Sequence, residues 1–201
     1  MRDQGNLLYR LRMLRQFEFK SGSPALDLAD TVSGRGRSEV DLLTEAADLA
    51  SWLEAASFYP APQAAITAAN LRSAVELRAA IAECVEAAIS VRKLPSKAVE
   101  VINAAAARPV FRPQLVDGAV ELTAADPVSS AFSLIAEDAI KLLTAPTIQR
   151  LRACPGCNML FVDRSRPGRR RWCSSSSGCG NRAKVSNFRK RAERKGQPHG
   201  R

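Results

Sequence analysis

Cys154-Pro155-Gly156-Cys157, then fifteen residues to Cys173, then five more to Cys179-Gly180-Asn181-Arg182: this stretch decides how the chain is read. Each pair of cysteines brings two thiols close together, and four thiolates complete a tetrahedral shell for zinc. A closed shell leaves no open coordination position, so the expected metal is one structural Zn2+ held by Cys154, Cys157, Cys173 and Cys179. An iron–sulfur cluster also accepts four cysteines, and free thiols or a disulfide are the non-metal readings. The fifth cysteine, Cys84, sits among alanines and reads as a buried structural thiol.

Outward from the cysteines, the flanking residues suggest a small module. A strand over 148–153 leads into the first pair, and Met159-Leu160-Phe161-Val162 returns from it. A basic loop with Arg166, Arg169, Arg170 and Arg171 precedes Trp172. A helix follows from Gly180 to about Lys195, with Val185, Phe188 and Ala192 as the stripe expected to pack. A knuckle, a hairpin and a terminal helix around one zinc make a treble-clef-like architecture. Asn181 is expected to bond backbone near the zinc turn, Arg182 to pair with Asp163, and Trp172 to pack over the knuckle. His199, the only histidine, lies in a Gly/Pro tail over 196–201 that is expected to be disordered.

The chain has 201 residues and a formal net charge of +10, and the charge is unevenly placed. From Pro146 onward the net is +13, whereas residues 1–145 carry −3. Such asymmetry points to a polyanionic partner for the cysteine-bearing part, double-stranded DNA first. The candidate nucleic-acid-binding residues are Arg166, Arg169, Arg170 and Arg171 in the loop, and Arg182, Lys184, Arg189, Lys190, Arg191 and Arg194 on the helix. RNA is the alternative partner; a zinc-scaffolded adaptor for proteins is the alternative class.

The rest reads as mainly helical, with an apolar fraction of 46% and few aromatics. Ser23 and Pro24 open a short helix. Thr44 is placed to cap a second, with Leu49, Trp52, Leu53 and Ala56 on one stripe. Pro60 and Pro62 punctuate, and a long helix follows over 63–92. Pro95 breaks it and Ser96 is placed to cap the next. Asp117-Gly118 between β-prone runs signals a hairpin. Asp126 and Pro127 start a further helix. The expected domains are an N-terminal extension over 1–16, a helical domain with one hairpin over 17–145, and the zinc module over 146–195. Whether residues 1–12 are translated is open, since Met13 is an alternative start.

Asp27, Asp30, Thr31 and Trp52 form a candidate ligand pocket for a small-molecule effector, with capping and core packing as the competing reading. Residues 17–145 contain no histidine and no glycine-rich phosphate loop, so no enzyme is expected. No stretch reaches the length of a membrane-spanning helix. Lacking an export signal, the chain is expected in the cytoplasm, associated with the nucleoid.

Cys179-Gly180-Asn181-Arg182, preceded by Arg171-Trp172-Cys173-Ser174, resembles the CGNR zinc finger, named for that tetrapeptide. Leu26-Asp27-Leu28-Ala29-Asp30-Thr31-Val32, Asp41-Leu42-Leu43 and Asp48-Leu49-Ala50-Ser51-Trp52-Leu53 resemble the start of the ABATE domain. That domain precedes this finger in bacterial proteins described as stress-induced transcription regulators. The resemblance implies DNA binding by the finger and sensing or homodimerisation by the domain. Two departures stand out: Asp30 replaces the usual Asn, and five residues rather than four separate Cys173 from Cys179.

Overall fold

The computed structural model describes residues 17–36, 38–56 and 65–196, with backbone alone over 192–196. The expected extension over 1–16, Pro60, Pro62, residues 63 and 64 of the expected long helix, the Arg194 side chain and His199 lie outside the described residues, and residues 65–67 precede that helix rather than belong to it.

Helix α1 (Pro24–Ala29) begins where Ser23, with extended backbone, accepts from the Leu26 amide at 3.4 Å and Pro24 fills the first turn. Short strands β1 (Val32–Ser33) and β2 (Val40–Asp41) pair antiparallel. Helix α2 (Ala46–Ala56) follows, and the expected Thr44 cap is reversed. Buried Asp48 reaches back instead, accepting from the amides of Thr44 and Glu45 at 2.9 and 3.0 Å and from the Thr44 hydroxyl at 2.7 Å. A carboxylate in the first turn satisfies the free amides and favours the positive end of the helix dipole.

Helix α3 (Ala68–Ile89) is closed by a Thr67/Asn70 capping box. Helix α4 (Ser96–Ala106) is capped by Pro95, not by Ser96. Extended backbone at Pro95 already turns the chain into the helix, which leaves Ser96 as its first residue. Strands β3 (Arg112–Val116) and β4 (Ala119–Thr123) form the expected hairpin. Its two-residue turn has φ of 49° at Asp117 and 80° at Gly118, a left-handed pair matched to strand twist. Helix α5 (Pro127–Leu142) starts at an Asp126 cap. The expected strand over 148–153 is instead a 3-10 turn (Thr147–Arg150) leading to the shorter β5 (Leu151–Ala153). The Ile148 amide bonds Thr144 O at 3.0 Å, which curls this segment. Strand β6 (Leu160–Val162) pairs with β5, and α6 (Cys179–Gly196) ends the described chain.

Helices α3, α4 and α5 pack in sequence, and α1 lies against α3 and α5. Ala25, Leu26, Leu28 and Ala29 of α1 are fully buried, so its apolar side chains lie at the centre of the core. Leu151, Leu160 and Val162, all past the expected boundary at 145, belong to the same core. Phe161, between Leu160 and Val162, belongs instead to a second cluster with Met159, Cys154 and Cys179. Strand β6 is therefore buried on both faces, one side against helices and the other against the cysteines, whereas β5 exposes Ala153. Further bonds fasten it. The Val162 amide donates to Ser21 O at 2.9 Å, and the Leu160 amide to Asp30 Oδ1 at 3.1 Å. Asn158, at φ 59°, donates its side-chain amide to Arg35 O.

Candidate metal centre and nucleic-acid surface

The four sulfurs come from a knuckle, a loop and a helix start. Cys154 follows β5, and the backbone turns so that the Asn158 amide bonds Cys154 O at 2.8 Å. Cys157 completes that turn, and Cys179 opens α6. Gly156 is required by close approach: a Cβ there would lie 2.8 Å from Cys179 Sγ. Trp172 packs beside this point, within 3.4 Å of that same position, as expected.

All four Sγ atoms lie within 4.8 Å of one another, and those of Cys157 and Cys173 are 3.5 Å apart. A tetrahedral shell with Zn–S bonds of ~2.3 Å has edges of about 3.8 Å, so the set fits one zinc ion. Hydrogen bonds also fit it. The Arg182 guanidinium donates to Cys179 Sγ at 3.3 Å, and the hydroxyls of Ser175 and Ser177 lie 3.0 and 3.1 Å from the sulfurs of Cys173 and Cys179. Four thiolates around a dication keep excess negative charge, and these donors offset it.

Without a cation the thiols of the cluster are pulled in opposite directions. Burial pushes the Cys157 thiol up to about 12, and neighbouring Cys173 and Cys179 add to the rise. Burial opposes ionisation of Cys154 too, but backbone amides of Cys173, Gly156 and Cys157 outweigh it and bring that thiol down to about 7. Metal binding removes the remaining protons, so the four cysteines make a structural zinc site whose assembly is coupled to folding.

Around the metal, Arg150 of the 3-10 turn and Arg152 of β5 hold the basic loop. Arg150 donates to Ser165 O at 3.0 Å and Arg152 to Gly168 O at 3.4 Å. Neither stood out in the sequence, because their role depends on carbonyls that the loop brings back to them. Asp163 does not pair with Arg182. Its oxygens accept from Ser165 N and Oγ at 2.9 and 2.6 Å and from Arg170 N at 2.9 Å. Foremost among these, the Ser165 hydroxyl holds Asp163 below the usual carboxylate range.

Arg170 is likewise part of the scaffold. It donates to Trp172 O at 2.8 Å and Ser174 Oγ at 2.7 Å, and its guanidinium lies 4.6 Å from the Phe161 ring centroid. Arg166, Arg169 and Arg171 are exposed on the loop, and Arg182, Lys184, Arg189, Lys190 and Arg191 on α6. Two residues of the stripe expected to pack do not: Val185 is 43% and Phe188 74% exposed, and the Ala192 side chain lies outside the described residues. Asn181 is exposed and makes no bond to the zinc turn among the described residues.

Of the four candidate pocket residues, Asp27, Thr31 and Trp52 do not line the cavity that Asp30 lines. Trp52 is in the core, 1% exposed. Thr31 is buried, donating to Leu28 O at 2.7 Å and accepting from Arg78 at 3.1 Å. That arginine, missed in the sequence as one cation on a long helix, also grips Asp41 with bonds of 2.6 and 2.7 Å. Asp27 accepts from the Ser21 amide at 3.1 Å, and burial, with Asp138 nearby, pushes it up to about 6. Asp30 alone lines a cavity.

Among the described residues no helix is long and apolar enough to cross a membrane. Residues 22–146 match the ABATE family model, described as "Putative stress-induced transcription regulator". Residues 150–192 match the CGNR zinc finger. Neither is an enzyme family. No curated protein matches the chain. With the matched stretch covering well over half its length, the chain belongs to the ABATE family and carries a CGNR zinc finger after that domain.

Proposed function

We propose that the protein is a transcription regulator whose zinc module binds duplex DNA in the cytoplasm, at the nucleoid, under the control of its N-terminal domain. The observation that carries this reading is the arrangement of exposed cations around a metal-fixed helix start. Arg166, Arg169 and Arg171 stand on one side of the zinc, and Lys184, Arg189, Lys190 and Arg191 follow Cys179 along α6. A helix this basic repels itself unless anions neutralise it, and phosphates do so. At 1.5 Å per residue, its 18 residues span about 27 Å, enough to lie along a major groove. Ser186 and Asn187 are exposed on it and short enough to meet base edges. Selection of bound sequences from random duplexes by the zinc-loaded chain, at two salt concentrations, tests the reading. Enrichment of a motif supports a sequence-specific regulator; absence of any bound duplex overturns it.

Single-stranded RNA is the second reading, favoured by one observation. Phe188 is 74% exposed on the basic helix, where an aromatic ring offers a base a stacking surface. Competition between duplex DNA and single-stranded RNA separates the two.

Control by the N-terminal domain includes pairing with a second copy. Pro113, Leu115, Val120 and Leu122 share one face of the β3–β4 hairpin by their register, and Leu115 and Val120 are 79% and 72% exposed. Isolated hairpins are marginal in water, and a second such face would cover this one. Sedimentation velocity reads the outcome: dimer for the wild type and monomer for Leu115→Asp supports pairing, and a wild-type monomer refutes it.

A further inference from the structure

The four cysteines are not equally enclosed. Cys154 and Cys179 are buried, whereas Cys157 and Cys173 are half-buried. Cys157 also lines a cavity of about 230 Å3 between the N-terminal domain and the zinc module, together with Val32, Met159 and the serine turn over 175–177. Hydrogen peroxide, with two heavy atoms, is little larger than a water at ~30 Å3, so this space admits it.

The sulfurs also differ in their hydrogen bonds. Cys154 faces the amides of Cys173, Gly156 and Cys157. Cys179 has the Arg182 guanidinium and the Ser177 hydroxyl, and Cys173 has the Ser175 hydroxyl. Cys157 meets the Met159 amide and, among the described residues, no side-chain N–H or O–H. Donors draw negative charge off a thiolate and lower its nucleophilicity. With zinc bound, Cys157 is therefore the thiolate that is both reachable and least quenched. Cys173 is the neighbour placed to react with it. The two sulfurs are 3.5 Å apart, about 1.5 Å more than a disulfide bond of ~2.05 Å. Cys173 leads into a serine turn, whereas Cys179 is fixed in the first turn of α6.

We propose that Cys157 is an oxidation site for small hydroperoxides and that it then closes a disulfide with Cys173. In the first step the Cys157 thiolate attacks a peroxide oxygen. The S–O bond forms, the O–O bond breaks, and hydroxide leaves with the electron pair. In the second, the Cys173 thiolate attacks the Cys157 sulfur. The S–S bond forms, the S–O bond breaks, and a second hydroxide leaves. Two thiolates lose two electrons and one hydrogen peroxide gains them. Two of the four zinc ligands are then spent, and the closed shell is lost. The new bond keeps the basic loop on the knuckle, but Cys179 no longer ties α6 to it through the metal. Leu160 and Val162 stay in the helical core, so the N-terminal domain remains folded. Loss of duplex binding on oxidation rests on the nucleic-acid reading of α6; the oxidation itself does not.

The zinc-loaded full chain, treated with hydrogen peroxide in the absence of added thiol, tests the site. Zinc release is followed with a colorimetric chelator, against an untreated chain. The cysteines are mapped by peptide mass spectrometry, with dimedone added in a parallel sample to trap the sulfenic acid. The first dimedone adduct is expected on Cys157. Without dimedone, a Cys157–Cys173 disulfide should accumulate in step with release of one zinc per chain, while Cys84 stays a free thiol and the helical circular dichroism persists. Dithiothreitol followed by zinc should restore the starting state. A first adduct on any other cysteine, a disulfide between a different pair, full zinc retention after the disulfide has formed, or no reaction at peroxide levels that oxidise free cysteine overturns the proposal. Duplex binding is measured in parallel and should weaken about tenfold or more on oxidation. A chain that forms the disulfide but binds no duplex even when reduced keeps the oxidation site and loses the nucleic-acid reading. A chain that binds duplex but forms no such disulfide does the reverse.

Discussion

Leu160→Ala is expected to destabilise the helical domain, although Leu160 lies between two zinc ligands. Its side chain is 1% exposed and belongs to the cluster formed by α1 and the long helices, not to the cysteine cluster. Truncating a buried leucine removes its transfer free energy and leaves a cavity, together 2–5 kcal/mol across comparable sites. Leu160 is flanked by Leu151 and Val162 in the same core, at 2% and 6% exposure, which limits collapse around the gap. About 3 kcal/mol is therefore expected. For a chain of this size each kcal/mol lowers the melting midpoint by roughly 2–4 °C, so the helical signal should melt about 6–12 °C lower. Circular dichroism of the zinc-loaded variant measures this, and metal analysis should still find one zinc per chain. A helical midpoint within about 2 °C of wild type, at full zinc content, would refute the shared core and make the module an independent tail.

Two further outcomes follow from the site and from Asp30. Cys157→Ser should abolish stoichiometric zinc and unfold α6, and it should also lower the helical midpoint, because the hairpin that zinc holds is shared; retention of full zinc would contradict this. Burial pushes Asp30 up to about 8, against the Leu160 amide and Arg35, which pull it down. The native state thus holds a proton that the unfolded chain has released, so stability is present at low pH and lost as pH rises through 8. Urea titrations should show stability falling as pH rises toward 8, and Asp30→Asn should remove that fall. Equal pH dependence in both proteins would show that Asp30 does not titrate there.

Much of the metal site was legible because cysteine spacing constrains geometry directly: two residues between Cys154 and Cys157 fit one turn around an ion. The Asp117-Gly118 hairpin was legible for a similar reason, since few residues accept left-handed φ in succession. The shared core was not. Leu160, Phe161 and Val162 read as a small strand of the knuckle, and three residues cannot reveal that both faces are buried. The terminal helix misled in the opposite sense. Val185 and Phe188 have the spacing of a packing stripe, but whether a partner element exists is a tertiary fact. The pocket residues did not read as a set because Thr31 and Trp52 serve the interior, whereas the serine turn that meets Asp30 lies far from it in sequence.

The central claim is that the zinc-fixed basic surface engages nucleic acid through phosphates. Fluorescence anisotropy of a labelled random-sequence duplex, titrated with zinc-loaded protein across salt concentrations, tests it most directly. If roughly five or six of the exposed cations meet phosphates, log K should fall against log salt with a slope of about −5. A flat salt dependence, or no binding at low salt, would contradict the account.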